Sequence, residues 1–155
     1  MKIGIIIHSK TGHTKSVAQK LKEKLISKGH KVNLEMVTVV NEDQMNTDQI
    51  ELKDIPGIKG YDMLILGAPV RGFSLSPVMK AYVSQLKTLK GIKLSLFVTE
   101  FFPFKNMGGI QAVKQFREIT EAKDGKILIT GIINWSNFKR SKHIDDLVED
   151  FSKLV

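Results

Sequence analysis

The chain has 155 residues, 42 % of them hydrophobic and 26 % charged, which is the balance of a folded domain rather than of a disordered chain. This length predicts a single domain over residues 1–155. The sequence contains no cysteine, which excludes disulfides, thiolate metal sites and a cysteine nucleophile. Its longest apolar runs, such as residues 3–7 and 127–133, are much shorter than the roughly 20 residues that span a bilayer. We therefore expect no membrane span and a cytoplasmic location.

The net charge of +8 is distributed unevenly. Residues 1–31 hold eight Lys and one acidic residue, whereas the remaining 124 residues hold 16 basic and 15 acidic groups. This excess is Lys without interleaved aromatic residues, whereas base readout and base stacking favour Arg and aromatic side chains. The pattern therefore predicts a solvated lysine face on one helix and no specific nucleic-acid binding.

Short apolar runs alternate with helical periodicities along the chain. Residues 2–8 form an Ile-rich run, which predicts a strand buried on both faces. Apolar residues at helical spacing follow, and Gly29 is placed to end this first helix. Similar runs predict four further strands, at residues 31–40, 63–66, 93–99 and 127–134.

The helices between and after these strands carry start signals. Ser76-Pro77 opens one helix, because Ser caps N–H groups and Pro suits the first helical position. Gly108 and Gly109 precede another, and Ser141 is a candidate cap for the last. Strands that alternate with helices predict the α/β class, as a doubly wound three-layer sandwich around a parallel sheet. Ligands of such sheets bind beyond the carboxyl ends of the strands.

The loop after the first predicted strand combines hydroxyl groups with the start of a helix, and it reads His8-Ser9-Lys10-Thr11-Gly12-His13-Thr14. The N–H groups and the dipole of a helix start favour an anion, and hydroxyl groups can donate to phosphate oxygens. An ordinary helix cap is the alternative interpretation. The Walker pattern and the Gly-x-Gly-x-x-Gly dinucleotide fingerprint are both absent from the sequence.

Two later loops, at the ends of the third and fourth predicted strands, are rich in aromatic residues. They read Gly67-Ala68-Pro69-Val70-Arg71-Gly72-Phe73 and Thr99-Glu100-Phe101-Phe102-Pro103, the second continuing to Gly108-Gly109. Four of the eight Phe residues lie in these segments: Phe73, Phe101, Phe102 and Phe104. They suit a flat apolar ring, although ordinary burial of the loops is the alternative. The single Trp, Trp135, ends the last predicted strand, where it either packs near this site or fills the core.

Ser9-x-Thr11-Gly12-x-Thr14 after the first strand resembles the FMN phosphate loop of the flavodoxin family, and the two aromatic loops resemble its second and third flavin loops. The resemblance covers the whole chain and implies a short-chain flavodoxin-like fold, a five-stranded parallel sheet in the order 2-1-3-4-5, and noncovalently bound FMN. It implies two groups of cofactor-binding residues: Ser9, Lys10, Thr11, Gly12, His13 and Thr14 for the phosphate, and Pro69, Val70, Arg71, Gly72, Phe73, Thr99, Glu100, Phe101, Phe102 and Gly108 for the ring.

Three functions are compatible with this sequence. The first is electron transfer between redox partner proteins through FMN, and a partner that docks on the lysine face would be acidic, unless that face only maintains solubility. The second is an FMN-dependent NAD(P)H:quinone or acceptor oxidoreductase on the same fold. The third is an anion-binding domain that has lost the flavin. No His and carboxylate pair stands at metal-ligand spacing, so we expect no metal.

Overall fold

The computed structural model describes residues 1–102 and 108–155. The elements are, in chain order, β1 (Lys2–Ile7), α1 (His13–Ser27), β2 (Lys31–Met36), a 3-10 turn (Thr47–Gln49), β3 (Met63–Arg71), β4 (Ser74–Leu75), α2 (Pro77–Gln85), β5 (Lys93–Glu100), α3 (Gly109–Glu121), β6 (Lys126–Asn134) and α4 (Arg140–Ser152). Five parallel strands form a sheet in the order β2-β1-β3-β5-β6, and β4 pairs antiparallel with β3. The predicted flavodoxin-like α/β sandwich, with its strand order 2-1-3-4-5, is confirmed, and β4 is an addition to it.

The central strands are apolar on both faces because helices cover both faces of the sheet. Successive side chains of β1 point to opposite layers: Ile5 and Ile7 pack with α1 and α4, whereas Ile6 packs in the layer that contains α2 and α3. All three side chains are fully buried. Strands buried in this way form continuous apolar runs, which is why the run at residues 2–8 predicts β1 correctly.

The structure corrects three predicted boundaries. Strand β3 continues to Arg71 rather than ending at residue 66, so most of the predicted second loop is strand. Strand β2 ends at Met36 rather than at residue 40, because the following residues pair elsewhere: Val39 forms an antiparallel bridge with Leu52. Helix α4 begins at Arg140, after Lys139, and no side chain caps it, so the prediction of Ser141 as its cap is wrong. The cap of α2 is confirmed, since the hydroxyl of Ser76 accepts a hydrogen bond from the N–H of Met79 at 3.3 Å.

Among the described residues, no helix is long and apolar enough to cross a bilayer.

Candidate functional site

A cavity of about 290 Å³ opens at the carboxyl ends of β1, β3 and β5. The three loops singled out in the sequence meet there, and the lining residues are Lys10, Thr11, His13, Pro69, Val70, Arg71, Thr99, Glu100 and Phe101. The chain crosses from β1 to β2 on one side and places β3 on the other, so the cavity lies at the point where the strand order reverses. Doubly wound sheets bind their ligands at such a point.

The first loop presents the open end of a helix to this cavity. Gly12, with a φ of 93°, precedes α1 and has no side chain that could cap the helix. The first N–H groups of a helix have no acceptor within the helix, and the helix dipole places partial positive charge beside them. One of these groups, the N–H of Lys15, donates to the Ser9 hydroxyl at 3.3 Å. Such a helix start can attract an anion, but binding of a phosphate by this loop stays a prediction.

A buried pair of hydroxyl groups connects the first and third loops. Thr14 is 1 % exposed and Thr99 is 3 % exposed, and their Oγ1 atoms are 2.8 Å apart. One hydroxyl donates to the other, which leaves the second with a proton for a further acceptor. The contact of Thr14 with phosphate stays a prediction, but its hydroxyl also holds the two loops together.

The second loop forms a tight hairpin between β3 and β4. Arg71 pairs with Ser74, and the two turn residues Gly72 and Phe73 have φ values of 58° and 60°. Two positive φ values are typical of a type I′ hairpin turn, in which a Phe is unusual. The Phe73 ring stacks on Phe102 of the third loop, with ring centroids 5.4 Å apart. The hairpin and the third loop therefore meet through aromatic contact.

The third loop returns against this hairpin at Gly108. A Cβ atom at Gly108 would lie 2.6 Å from Cγ1 of Val70 and 2.9 Å from Cα of Phe73, and its φ of 120° also favours glycine. Glu100, at the end of β5, is 2 % exposed, and its carboxylate leaves no space for a side chain at Gly109. Phe104 lies outside the described residues, as do Pro103 and the rest of the 103–107 segment.

A buried histidine that the sequence did not assign to the site lies beneath the second loop. His8 is fully buried, with Nδ1 2.7 Å from the Ser76 hydroxyl and Nε2 3.0 Å from a carboxylate oxygen of Glu42. Burial lowers the pKa of His8, although Glu42 acts in the opposite direction. The neutral ring can donate from Nε2 to Glu42 and accept at Nδ1 from Ser76. The sequence signal that could have identified His8 is that it is a polar residue at the end of the apolar run at residues 2–8.

Glu42 in turn joins this network to the cavity wall. Its backbone carbonyl accepts a hydrogen bond from Nη1 of Arg71 at 2.9 Å. The ammonium group of Lys10 also contacts this region, through Asp43 at 3.2 Å. Two cationic residues of the predicted site are therefore held by the segment that follows β2, which is a connection that sequence spacing does not reveal.

His13 contacts an aromatic ring that follows the end of β6. Its imidazole stacks on Trp135, with ring centroids 4.0 Å apart and planes 10° apart. The guanidinium of Arg140 lies 4.5 Å from the centroid of the same indole ring. Partial burial, and then the positive charge of Arg140, lowers the pKa of His13. The structure thus places Trp135 beside the site, whereas contact of His13 with phosphate stays a prediction.

Comparisons with known proteins agree with this architecture. Flavodoxin 2 from Bacillus cereus superposes with a TM-score of 0.70 at 18 % identity, over 100 % of both chains. Flavodoxin from Megasphaera elsdenii, in its two-electron reduced form, gives 0.65 at 20 % identity over 97 % of this chain and 98 % of its own. A flavoprotein from Lactobacillus acidophilus NCFM in complex with FMN gives 0.64 at 20 % identity over 94 % and 97 %. At these identities the likeness shows a shared fold.

The sequence itself supplies the assignment to a family. A search among curated proteins gives no match. A family model described as a flavodoxin domain, however, matches residues 4–139, which include every residue that lines the cavity. The chain therefore belongs to the flavodoxin family.

Proposed function

We propose that this chain, as one domain over residues 1–155, binds FMN noncovalently and carries electrons between redox proteins in the cytoplasm. The observation that carries the proposal is the cavity at the strand-order reversal, which has a glycine-led helix start on one side and an aromatic hairpin on the other. A helix start suits a phosphate, and apolar and aromatic walls suit a flat ring. FMN carries both a phosphate and a flat ring, and the L. acidophilus flavoprotein is in complex with FMN.

The phosphate end of this arrangement is formed by the chain between β1 and α1. Thr11 is exposed, lines the cavity and offers a hydroxyl donor, and Gly12 lets the backbone approach an anion closely. Lys10 adds a positive charge at the same end. The absence of the dinucleotide fingerprint favours a mononucleotide over FAD.

The ring end is formed by the hairpin and the end of β5. Val70 and Phe101 supply apolar contact, and Pro69 and Thr99 line the wall between them. FMN, when bound, accepts and releases one or two electrons, and the residues around it set the energy of each charge state. Arg71, oriented by the Glu42 carbonyl, brings a cation to this wall, and a cation there favours the anionic form of a reduced flavin.

The rim of the cavity supports docking of a protein. Phe73, Phe101 and Phe102 are 55 %, 66 % and 43 % exposed, although large apolar side chains are usually buried. A group of exposed aromatic residues is typical of an interaction surface. A partner protein that covers this rim would approach the flavin closely enough to exchange electrons with it, and basic charge nearby would favour an acidic partner.

The test begins with the purified protein. We expect a yellow protein that releases FMN on denaturation and an apoprotein that rebinds FMN stoichiometrically in a fluorescence titration. Release of FAD, or no flavin binding by the apoprotein, would contradict the cofactor. Rapid NAD(P)H oxidation with a quinone, in the absence of any partner protein, would assign the oxidoreductase activity instead of the carrier role.

A further inference from the structure

A second cavity, of about 450 Å³, adjoins the first, and Phe101 lines both. Besides Phe101, it is formed by the connection between β6 and α4 and by the first residues of α4. Its volume lies within the range of small-molecule sites, which is about 300–1,000 Å³. The proposed electron transfer does not require a second cavity, so the residues that line this cavity need a separate explanation.

The walls of this second cavity are aromatic and unusually open. Phe138 is 92 % exposed and Phe101 is 66 % exposed, and both rings border the same space. Trp135 forms the third aromatic wall and is fixed in position by its stack with His13. Two exposed rings and one fixed ring around one cavity form a surface that a planar apolar group would cover.

A fixed cation completes the cavity. The guanidinium of Arg140 lies 4.5 Å from the Trp135 ring centroid, and its Nη1 donates to the Trp135 carbonyl at 2.5 Å. A guanidinium has five N–H donors, so a group held in this way keeps donors for an anion. Lys139 adds a second positive charge, with Nζ 5.6 Å from the Phe138 centroid. Among the described residues that line the cavity, none is acidic.

We propose that this second cavity binds a planar aromatic anion, with its ring against Phe101 and Phe138 and its carboxylate, sulfonate or phosphate on Arg140. Aromatic contact selects the planar ring, and the guanidinium selects the negative group. The site adjoins the proposed flavin site through Phe101 and through the stack of Trp135 on His13, but Phe138 and Arg140 line only the second cavity. We therefore expect the cavity to bind its ligand in the protein with and without FMN.

The single Trp of the chain makes the test specific to this site. The probe is 2-naphthoate, added to ¹⁵N-labelled protein both without and with FMN. We expect a saturable shift of the indole N–H signal of Trp135 in both forms, and equilibrium dialysis gives the affinity. Phe138→Ala, at an exposed position, and Arg140→Gln should each weaken binding about tenfold, as the loss of an aromatic or charge-assisted contact would.

Matched compounds test the aromatic contact and the charge contact separately, and a matched variant controls for the loss of a positive charge elsewhere. Cyclohexanecarboxylate retains the charge without the planar ring, and 2-naphthalenemethanol retains the ring without the charge, so both should bind several-fold more weakly than 2-naphthoate. AMP, which also joins a planar ring to a negative group, is compared with 2-naphthoate. Tighter binding of AMP would identify a nucleotide as the class of ligand, and tighter binding of 2-naphthoate would identify a simple aromatic acid. Arg117→Gln, on the exposed side of α3, should leave binding unchanged.

Four results would overturn the inference. They are an unmoved Trp135 signal, equal affinities for the charged, neutral and nonplanar compounds, insensitivity to both Phe138→Ala and Arg140→Gln, and displacement of the probe by one equivalent of FMN. The last result would make this cavity part of the flavin site. A Trp135 signal that moves only with a partner protein would assign the aromatic walls to protein docking. Because the FMN-free protein is tested as well, failure to bind FMN would not be confused with failure of this site.

Discussion

Single residues at the ends of the buried strands determine how the loops of the site are held. His8 ends the apolar run of β1, yet its ring is fully buried between the Ser76 hydroxyl and the Glu42 carboxylate. A buried polar group costs free energy unless it has partners, and here both ring nitrogens have one. His8 thereby connects the start of α2 with the segment that holds Arg71.

This arrangement predicts a loss of stability in mild acid. Because burial lowers the pKa of His8, the unfolded chain takes up a proton near pH 6.5, before the folded protein does. The free energy of unfolding should therefore fall as the pH decreases from 7 to 5, by at most about 1.4 kcal/mol per pH unit for this group. His8→Gln should show a shallower slope in urea denaturation at pH 5, 6 and 7.

The comparison with the variant is needed because His13 and His30 also have lowered pKa values, mainly through burial. Their contributions have the same sign and remain in His8→Gln. The difference between the two slopes therefore reports His8 alone. Identical slopes for the two proteins would contradict a neutral, buried His8.

The hydroxyl groups of the first loop carry a second prediction, on cofactor affinity. Thr11→Ala and Thr14→Ala should each weaken FMN binding by about 1.5–3 kcal/mol, or roughly 10–150-fold, as the loss of a hydrogen bond to a charged group does. Flavin fluorescence titration measures the affinity. Thr14→Ala also removes the bond to Thr99, so riboflavin provides the control.

Riboflavin lacks the phosphate and should bind the wild type much more weakly than FMN. If a threonine acts through the phosphate, its replacement should lower FMN affinity much more than riboflavin affinity. Equal losses for the two flavins would assign Thr14 to holding the loops together. Equal affinities of the wild type for FMN and riboflavin would refute recognition of the phosphate.

The secondary-structure elements show which features local sequence can predict. Ser76-Pro77 gives the start of α2, because a cap acts on N–H groups within the same turn. The end of β2 depends on the bridge between Val39 and Leu52, which are far apart in the chain, so no local signal marks it. The hairpin turn at Gly72-Phe73 lacks the usual Asn-Gly pattern, and its geometry is maintained by contacts with Phe102 and Gly108.

The same distinction applies to the site as a whole. The hydroxyl groups, glycines and aromatic residues of the three loops follow from the positions of the strand ends, which sequence periodicity predicts. The contact of Thr14 with Thr99 depends on the lateral order of β1, β3 and β5. The role of Glu42 depends on where the long connection between β2 and β3 returns to the sheet, and residue type alone does not contain that information. Arg140 follows Trp135 by only five residues, but their contact depends on the turn that begins α4.

The packing of β3 against β5 yields a prediction about stability. A Cβ atom at Gly67 would lie 2.2 Å from Cζ of Phe97, which is fully buried in the core layer beneath α1 and α4. Gly67→Ala should therefore destabilise the protein by about 1–3 kcal/mol in urea denaturation, because overpacking a core forces neighbours to move. Gly57→Ala is the control, since that position is open within 4 Å and has no positive φ.

A double-mutant cycle identifies the cause of this loss. Phe97→Leu removes the part of the ring that would meet the new methyl group, so Gly67→Ala should cost less in that background than in the wild type. An equal cost in both backgrounds would mean that Phe97 is not the obstacle. Equal stabilities of Gly67→Ala and Gly57→Ala would contradict close packing of Gly67 against Phe97 between these two adjacent strands.

At the scale of the whole molecule, the basic excess of residues 1–31 is partly neutralised by the fold. Lys24 forms an ion pair with Glu149 of α4 at 2.9 Å, and the ammonium of Lys28 donates to the carbonyl of Ser152. Lys15 and Lys20 remain exposed on α1. The ion pair of Lys24 reduces the charge of the lysine face predicted from the sequence, and Lys15 lies in the first turn of α1, at the end of the helix nearest the cavity.

The final prediction concerns how these charges act on a partner. Lys15 and Lys20 should attract an acidic redox protein at long range, and salt should weaken this attraction because the Debye length falls from about 10 Å at 0.1 M to about 3 Å at 1 M. The rate of electron transfer from the reduced protein to an acidic ferredoxin should therefore fall as salt rises. Replacing Lys15 and Lys20 by Gln should lower the rate at low salt by roughly tenfold.

A variant with Lys87 and Lys90 replaced by Gln removes the same charge from the connection between α2 and β5, at the opposite end of the sheet from the cavity, and should leave the rate nearly unchanged. This comparison distinguishes local docking from the effect of net charge, because both variants have the same total charge. Equal losses in the two variants would mean that only the overall field matters. A rate that increases with salt would mean that the region around the cavity repels acidic proteins, and a basic partner would then be the better candidate.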